Sequence, residues 1–340
     1  MQLIENKVLA LALAFTLLLA AVPVGLMRQA GAASPAAAGR ASSKAVPAAG
    51  QSQTYLPVLS VSSPAAQPPA VDAGWLDYVN YYRAVAWLPP VTEDTSLSIA
   101  AQELAACIVA SDKYHEWEWQ FSPYCQPFPV FQKTARASNL YITSTPDAPD
   151  AEALATWIQA PFHALGMLDP ALQRAGFGTD RDSNGAVQMA AVLDVTGGRD
   201  SGNIATGVYP VMWPGRGSTV EGGSYAADTD SPEPLSSCPG YPAVTGLPII
   251  LQIGDGQLTT VVVTNSSLKA GDVALETCVF TQNSYVSLDA DEQAAGRALL
   301  AARNAIVLLP KQPLMPGSLY TVSLTANGQA YQWSFQIAGN

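Results

Sequence analysis

The sequence predicts an α+β protein: a first domain with helices layered around a sheet, followed by a small all-β domain. Apolar residues recur every three to four positions between residues 73 and 158, which is the period of helices buried on one face. After residue 185 the apolar residues alternate, and short strand-like runs separated by turn residues follow. Helices that precede antiparallel strands favour layers of helix around a sheet.

The predicted helices of the first domain follow from the spacing of apolar side chains. The first starts near Ala73. The second follows Asp94, a residue type that caps helix N-termini, and carries the longest apolar stripe, over residues 97–111. The third covers residues 151–158 and ends before Pro161, because proline lacks the amide hydrogen that a helix interior needs.

The predicted strands begin with a hairpin in the first domain. Apolar residues alternate over 187–195, the partner strand ends near Thr179, and Asn184-Gly185 between them is typical of a tight turn. Further strands are predicted at residues 247–253, 258–264, 273–280, 306–309, 319–324 and 331–337. Such short strands favour a small sandwich, and the Ala-rich segment 289–303 is predicted as a helical insertion in one of its loops.

The chain divides into five predicted segments. The N-terminus has a lysine, a short apolar run and a small-residue cleavage site, which together predict an export signal. An uncleaved signal is the alternative, and it would anchor the protein to the membrane. The five segments are a signal peptide at 1–32, an Ala/Ser/Pro-rich linker at 33–70, the first domain at 71–214, a second linker at 215–234 and the all-β domain at 235–340. Each domain is predicted to fold by itself.

Charge and cysteine content narrow the class of protein. The 27 acidic and 16 basic residues give a formal net charge of −11, which disfavours binding to nucleic acid or anionic membranes. Export would let the four cysteines form disulfides. Three pairings are compatible with the sequence. We prefer Cys107–Cys125 and Cys238–Cys278, because each bond closes a short loop within one predicted domain, and buried free thiols are the alternative.

Several short motifs in the first domain occur in the order typical of one family. An Asn-Tyr-Tyr-Arg motif at 80–83 is followed by Leu-Pro-Pro at 88–90, a long helix leads to His115, and Trp157 stands six positions before His163. These motifs resemble a bacterial CAP domain, the superfamily of cysteine-rich secretory proteins, venom antigens and pathogenesis-related proteins. The resemblance covers roughly residues 73–211 and implies an α-β-α layered fold.

A second resemblance concerns the end of the chain. Residues 313–322, together with Trp333-Ser334-Phe335, are similar to the end of bacterial Ig-like domains that are appended to surface proteins. This resemblance implies an Ig-like sandwich for the all-β domain.

The CAP resemblance implies a cleft and names its residues. In that family the cleft has two histidines and two glutamates, which implies that His115 and His163, the only histidines of this chain, face each other here. One family glutamate belongs to a Gly-Glu-Asn motif, where this chain has Ser138 and then the retained Asn139. The other family glutamate corresponds to Ala160. Both carboxylates of the cleft are therefore replaced.

These replacements weaken the prediction of a metal or catalytic site. Imidazole and carboxylate together suit Zn²⁺ or another divalent metal, and they also suit general acid–base chemistry near neutral pH. His115 and His163 alone predict weak metal binding at most, although Glu116 or Glu118, beside His115, is an alternative ligand. No catalytic residue is predicted.

Two further segments can each be interpreted either as a binding site or as an ordinary structural element. The aromatic-rich residues 117–131 suit sugar stacking or a lipid groove, but packing of a long loop is the preferred interpretation. Residues 180–185 have the composition of a calcium loop without its later glutamate, so a turn is preferred.

The function predicted from the sequence is therefore binding without catalysis. We expect a secreted or surface-tethered bacterial protein whose CAP and Ig-like domains bind an extracellular ligand, protein or lipid. A metal-dependent hydrolase using His115 and His163 is the first alternative. A lipid carrier is the second alternative, and the aromatic segment favours it.

Overall fold

A computed structural model describes residues 66–70, 72–227 and 231–339 of the chain. All of them belong to one compact unit. The predicted signal peptide and most of the predicted linker at 33–70 lie outside the described residues. Within the described ranges, no helix has the length and apolar character needed to span a membrane.

The described residues form seven α-helices and fifteen strands. The helices are α1 (Trp75–Val85), α2 (Thr95–Ser111), α3 (Glu116–Trp119), α4 (Phe128–Ala137), α5 (Asp150–Gln159), α6 (Pro161–Met167) and α7 (Ala290–Ala301). The strands of the N-terminal half are β1 (Thr92–Glu93), β2 (Ser138–Thr143), β3 (Arg174–Arg181) and β4 (Met189–Asp194). The remaining strands are β5 (Val211–Trp213), β6 (Thr219–Val220), β7 (Ser224–Ala226), β8 (Val244–Gly246), β9 (Ile249–Gln252), β10 (Val263–Ala270), β11 (Val273–Leu275), β12 (Thr277–Thr281), β13 (Ala305–Pro310), β14 (Leu319–Ala326) and β15 (Gln329–Ile337).

The first sheet has helices on both faces. Its strand order is β1-β3-β4-β2, and the predicted hairpin of β3 and β4 is confirmed. Residues on one face of β4, such as Ala191 and Leu193, pack with α1, α5 and α6. Residues on the other face, Ala190 and Val192, pack with α2 and α4 in a separate cluster. Every residue of β4 is buried. The alternating residues of this strand therefore face two apolar cores, one on each side of the sheet, and neither face is exposed to solvent.

Helix α2 lies directly on β3 because the strand has glycines, Gly176 and Gly178, where the two elements meet. A Cβ added at Gly176 or Gly178 would overlap the backbone of α2. The predicted cap of this helix is confirmed, since the Asp94 carboxylate accepts from the amides of Ser96 at 3.0 Å and Leu97 at 3.4 Å. The cap and the glycines together fix where α2 starts and how close it approaches the sheet.

The helical predictions missed three elements. Pro161 was expected to end a helix, but it also begins α6, because proline suits the first helical position, where no amide hydrogen is needed. The loop expected over residues 117–131 contains α3 and the start of α4. In α4, Phe128, Phe131 and Ala135 have helical spacing and contact the second core, so a signal was present in the sequence.

The C-terminal half contains a five-stranded sheet, β11-β10-β14-β15-β6, and a four-stranded sheet, β12-β13-β9-β5. The predicted helical insertion is confirmed as α7, with Asp289 as its cap. The strand expected at 258–264 is wrong, because β10 occupies Val263–Ala270, where Leu268 is the only fully buried residue. The strand expected at 273–280 is two strands that belong to different sheets.

Two short strands around the start of the predicted second linker join the two halves. Strand β5, at the end of the predicted first domain, pairs with β9, and β6, within the predicted linker, pairs in parallel with β15. These strands have three and two residues, too few to show a period in a sequence rich in Gly and Ser. One apolar cluster consequently extends from Val79 in α1 to Ile337 in β15.

Both predicted disulfides are present. Cys107–Cys125 closes a separation of 18 residues in the first half, and Cys238–Cys278 closes one of 40 residues in the second. The described cysteines therefore include no free thiol. The alternative of buried free thiols is wrong.

Candidate functional site

His163 and Asn139 form the best-defined part of the predicted cleft. His163 is the one residue of α6 that is not buried, while Asn139 on β2 is 4% exposed. The side-chain Nδ2 of Asn139 donates to the backbone carbonyl of His163 at 3.2 Å. The Oδ1 of Asn139 lies 3.1 Å from His163 Nδ1. With Asn139 Oδ1 as the acceptor, the hydrogen of this contact lies on His163 Nδ1.

Ser138 and Ala160 lie at the positions where the resemblance implied carboxylates. Ser138 ends α4 and begins β2, and its Oγ is buried with no hydrogen-bond partner among the described residues. Ala160 is 3% exposed and lies between α5 and α6. A hydroxyl and a methyl group therefore stand at the two positions where the resemblance implied anionic oxygen ligands.

His115 lies on a different element. It is exposed and precedes α3, where its carbonyl accepts from the amide of Glu118. Glu116 and Glu118 are each half-buried. The proximity of His115 to His163, and a role for Glu116, stay predictions.

The donors among the described residues do not fit a zinc site. A structural or catalytic Zn²⁺ site needs at least three nitrogen, sulfur or oxygen ligands from the protein. Within the part of the chain that the structure describes, no three side chains of His, Cys, Asp or Glu are grouped so as to hold a metal ion. The weak metal site formed by His115 and His163 remains a prediction for titration.

The aromatic segment is only partly explained by packing. Trp119 is 1% exposed, and its Nε1 donates to the Lys113 carbonyl at 2.9 Å. Phe121 and Tyr124, in contrast, are 76% and 63% exposed. We call residues 120–126 the aromatic loop; the buried Cys125 attaches it to α2 through the disulfide. Two large rings are thus presented to solvent on a covalently held loop.

The segment that resembles a calcium loop is a turn, as preferred. Asp182 accepts from both the backbone and the side-chain nitrogen of Asn184, at 2.9 and 2.7 Å. These hydrogen bonds lower the pKa of Asp182. The carboxylate is therefore directed into its own hairpin.

The sequence alone does not predict the role of Arg83, a buried arginine that binds the C-terminal end of α6, the helix that carries His163. Arg83 of α1 is 1% exposed and donates to four carbonyls, at Pro89, Met167, Asp169 and Leu172. Burial lowers the pKa of Arg83 to about 10, and Asp169 opposes this shift. The sequence shows the Asn-Tyr-Tyr-Arg motif that contains Arg83. It does not predict the contact of Arg83 with Asp169, which is 86 residues away.

Comparison with known proteins agrees with the geometry of the first sheet. A search of curated proteins finds no match. The family model described as CAP, cysteine-rich secretory protein family, matches residues 76–194. This range includes the first sheet, with α2 and α4 on one face and α5 and α6 on the other, and the His163–Asn139 pair. The match and the α-β-α layers together show that this chain contains a CAP domain at residues 76–194.

Proposed function

We propose that this chain is an extracellular binding protein whose CAP domain acts without catalysis. The observation that carries the proposal is the composition of the site. His163 is hydrogen-bonded to the neutral Asn139, and Ser138 and Ala160 occupy the positions expected for carboxylates. With Ser138 and Ala160 at those two positions, the site lacks the two carboxylates that the family pattern would supply as metal ligands or as a general base.

An extracellular location is supported by two observations. Both disulfides are of the kind that persists outside the cytoplasm, and the matched family is one of secretory proteins. We propose that the signal at 1–32 directs export, with cleavage after Ala32 giving a secreted form and retention giving a membrane-anchored form.

We further propose that residues 235–340 are an Ig-like domain of a bacterial surface protein. The strands that residues 235–340 contribute to the two larger sheets, and the closing hairpin of β14 and β15, support this interpretation. The helix α7, between β12 and β13, is a departure from a simple sandwich.

The aromatic loop is the surface we assign to binding. Phe121 and Tyr124 expose large rings whose apolar faces gain free energy when water is removed. The net charge of −11 disfavours an anionic partner. A protein surface or a neutral lipid is therefore the favoured ligand, and the lipid would make the chain a carrier.

The experiment separates binding from metal chemistry and from lipid carriage. The full chain is titrated with Zn²⁺ by calorimetry and mixed with neutral phosphatidylcholine vesicles in a flotation assay. A Phe121→Ser/Tyr124→Ser variant removes the aromatic surface, and Leu319→Ser removes another exposed apolar side chain as the control. Vesicle binding that only the double variant loses would support the lipid interpretation.

Nanomolar zinc binding that is lost in both His115→Ala and His163→Ala would replace the proposal by the metal-dependent hydrolase. Weak zinc binding together with no vesicle binding would leave a protein ligand as the favoured partner of the aromatic loop.

A further inference from the structure

Helix α6, which carries His163, is enclosed by the C-terminal half of the chain. The ring of Phe162 lies 6.2 Å from the ring of Phe280 and 5.2 Å from that of Tyr285, measured between centroids. Phe280 and Tyr285 are buried and lie outside the range that matches the CAP family. The residue beside the site histidine thus packs in an aromatic cluster supplied by a distant part of the sequence.

The C-terminal end of α6 also receives hydrogen bonds from outside the helix. The last carbonyls of any helix lack partners within it and need external donors. The Met167 carbonyl accepts from Arg83 Nη1 at 2.8 Å, and the Leu168 carbonyl accepts from Gln252 Nε2 at 2.8 Å. Gln252, on β9, is completely buried. One support comes from the CAP domain and the other from the C-terminal half.

A buried ion pair completes this connection two residues beyond the helix. The side chain of Asp169 is 2% exposed and lies 2.9 Å from Arg303 Nη2 and 2.7 Å from Arg199 Nε. Arg303 is 5% exposed and lies between α7 and β13. A buried charge that loses its partner is strongly unfavourable. Asp169 and Arg303 therefore hold the two halves of the chain at one fixed position.

We infer that the C-terminal half is a built-in support for α6, and that Arg303 and Gln252 are positioning residues for the His163–Asn139 pair. Neither residue belongs to α6. Both act on the turn at Leu168 and Asp169, about one and a half helical turns away. Since α6 is only seven residues long, movement of this end would tilt the whole helix and misalign the 3.1 Å contact to Asn139. The inference holds whatever the site binds.

The chain supplies its own internal control for a test. It has two histidines, and His115 is exposed on a separate element, before α3. Imidazole resonances of the full chain are recorded by NMR for wild type, Arg303→Met, Gln252→Met and Lys311→Met. Lys311→Met is the matched control, because it removes a positive charge from the exposed pair with Glu276 in the same half.

We expect Arg303→Met and Gln252→Met to shift the His163 resonances and leave those of His115 in place. Amide exchange over residues 163–168 should accelerate by about tenfold, because the helix end opens locally. Lys311→Met should change neither quantity. Arg303→Lys, which keeps the charge, should lie between wild type and Arg303→Met.

Wild-type His163 resonances and exchange rates in folded Arg303→Met and Gln252→Met would overturn the inference. Equal changes at His115 and throughout the chain would also overturn it, since they would indicate general destabilisation. If Arg303→Met does not fold, Gln252→Met carries the same test, because it removes no charge and leaves the Asp169 ion pairs in place.

Discussion

Ser138 and Ala160 set the chemistry available to His163. The CAP resemblance implies a glutamate at each position, whereas the hydroxyl of Ser138 and the methyl group of Ala160 carry no charge. The buried Ser138 Oγ has no partner in the described part of the chain, a state that costs about 1–3 kcal/mol when no water compensates. The same two positions can be used to restore metal binding.

The variant Ser138→Glu/Ala160→Glu should bind Zn²⁺ more tightly than wild type. Wild type is expected to bind at about micromolar affinity or weaker, because few charged ligands offset the cost of stripping water from the ion. Calorimetric titration of metal-free protein measures the change. The control Ser201→Glu/Ala205→Glu adds the same charges at exposed positions. Equal affinity in both double variants would show that net charge, and not the site, attracts the metal.

Tyr141 should titrate well above the ordinary range of a tyrosine. Burial, followed by the 2.7 Å hydrogen bond to Glu152 and its charge, raises the pKa of Tyr141 to about 12. The folded state favours the neutral phenol, so this stabilisation is complete below about pH 10 and is lost as the pH rises towards 12. The difference in absorbance at 295 nm between wild type and Tyr141→Phe gives the midpoint.

Glu152→Gln should lower that midpoint, because the negative charge that opposes ionisation is removed. A Tyr141 midpoint near pH 10 in wild type, unchanged by Glu152→Gln, would contradict the assigned contact.

Helix α2 illustrates what decides the position of an element. Its existence and its start at Asp94 follow from an apolar stripe and a cap, which are local features. Its distance from β3 depends on Gly176 and Gly178, whose missing side chains let the helix backbone touch the strand. A glycine in a strand signals close approach without naming the neighbour, so the packing was not predictable.

Gly178→Ala should destabilise the protein by about 3 kcal/mol, because the added methyl group would overlap the α2 backbone and force the helix from the sheet. Gly202→Ala is the control, since its added carbon would meet only the flexible Asp200 side chain, at 3.3 Å. Urea unfolding followed by circular dichroism measures both. Similar losses for the two variants would mean that α2 moves aside without cost.

The whole molecule depends on packing between its two halves. One apolar cluster, the Asp169–Arg303 pair and the hydrogen bond from Trp333 Nε1 to the Pro214 carbonyl at 3.0 Å connect segments that were predicted to fold separately. Shared burial couples the unfolding of two segments, because neither can expose its part of the core alone. The packing between the two halves therefore predicts that they unfold together.

The described part of the chain, residues 66–339, should unfold in a single transition. Calorimetric and van't Hoff enthalpies should agree, as they do for a two-state unit. Arg303→Met should lower the midpoint without splitting the transition. Two resolved transitions in wild type, each matched by a separately folded fragment at 66–214 or 232–340, would instead support the prediction that each domain folds by itself.

The sequence by itself determined the features that depend on neighbouring residues. The cap of α2, the hairpin of β3 and β4, the helix α7 and the CAP motifs all follow from local spacing. The disulfide pairs were only preferred from the sequence, because each closes a short loop, and the structure decided them. Short strands such as β5 and β6 did not follow, because two or three residues show no period and their partners lie far along the chain.

Only the tertiary structure decided which buried groups meet. Asp169 is 86 positions from Arg83 and 134 positions from Arg303. Its carboxylate pairs with Arg199 of the first half and Arg303 of the second, and its carbonyl accepts from Arg83 of α1. No local pattern in the sequence predicts these contacts. The exposure of Phe121 and Tyr124 was likewise undecided, since an aromatic run is compatible with a core or a surface. Local propensity specifies elements, but burial and charge pairing depend on the three-dimensional arrangement of residues distant in sequence.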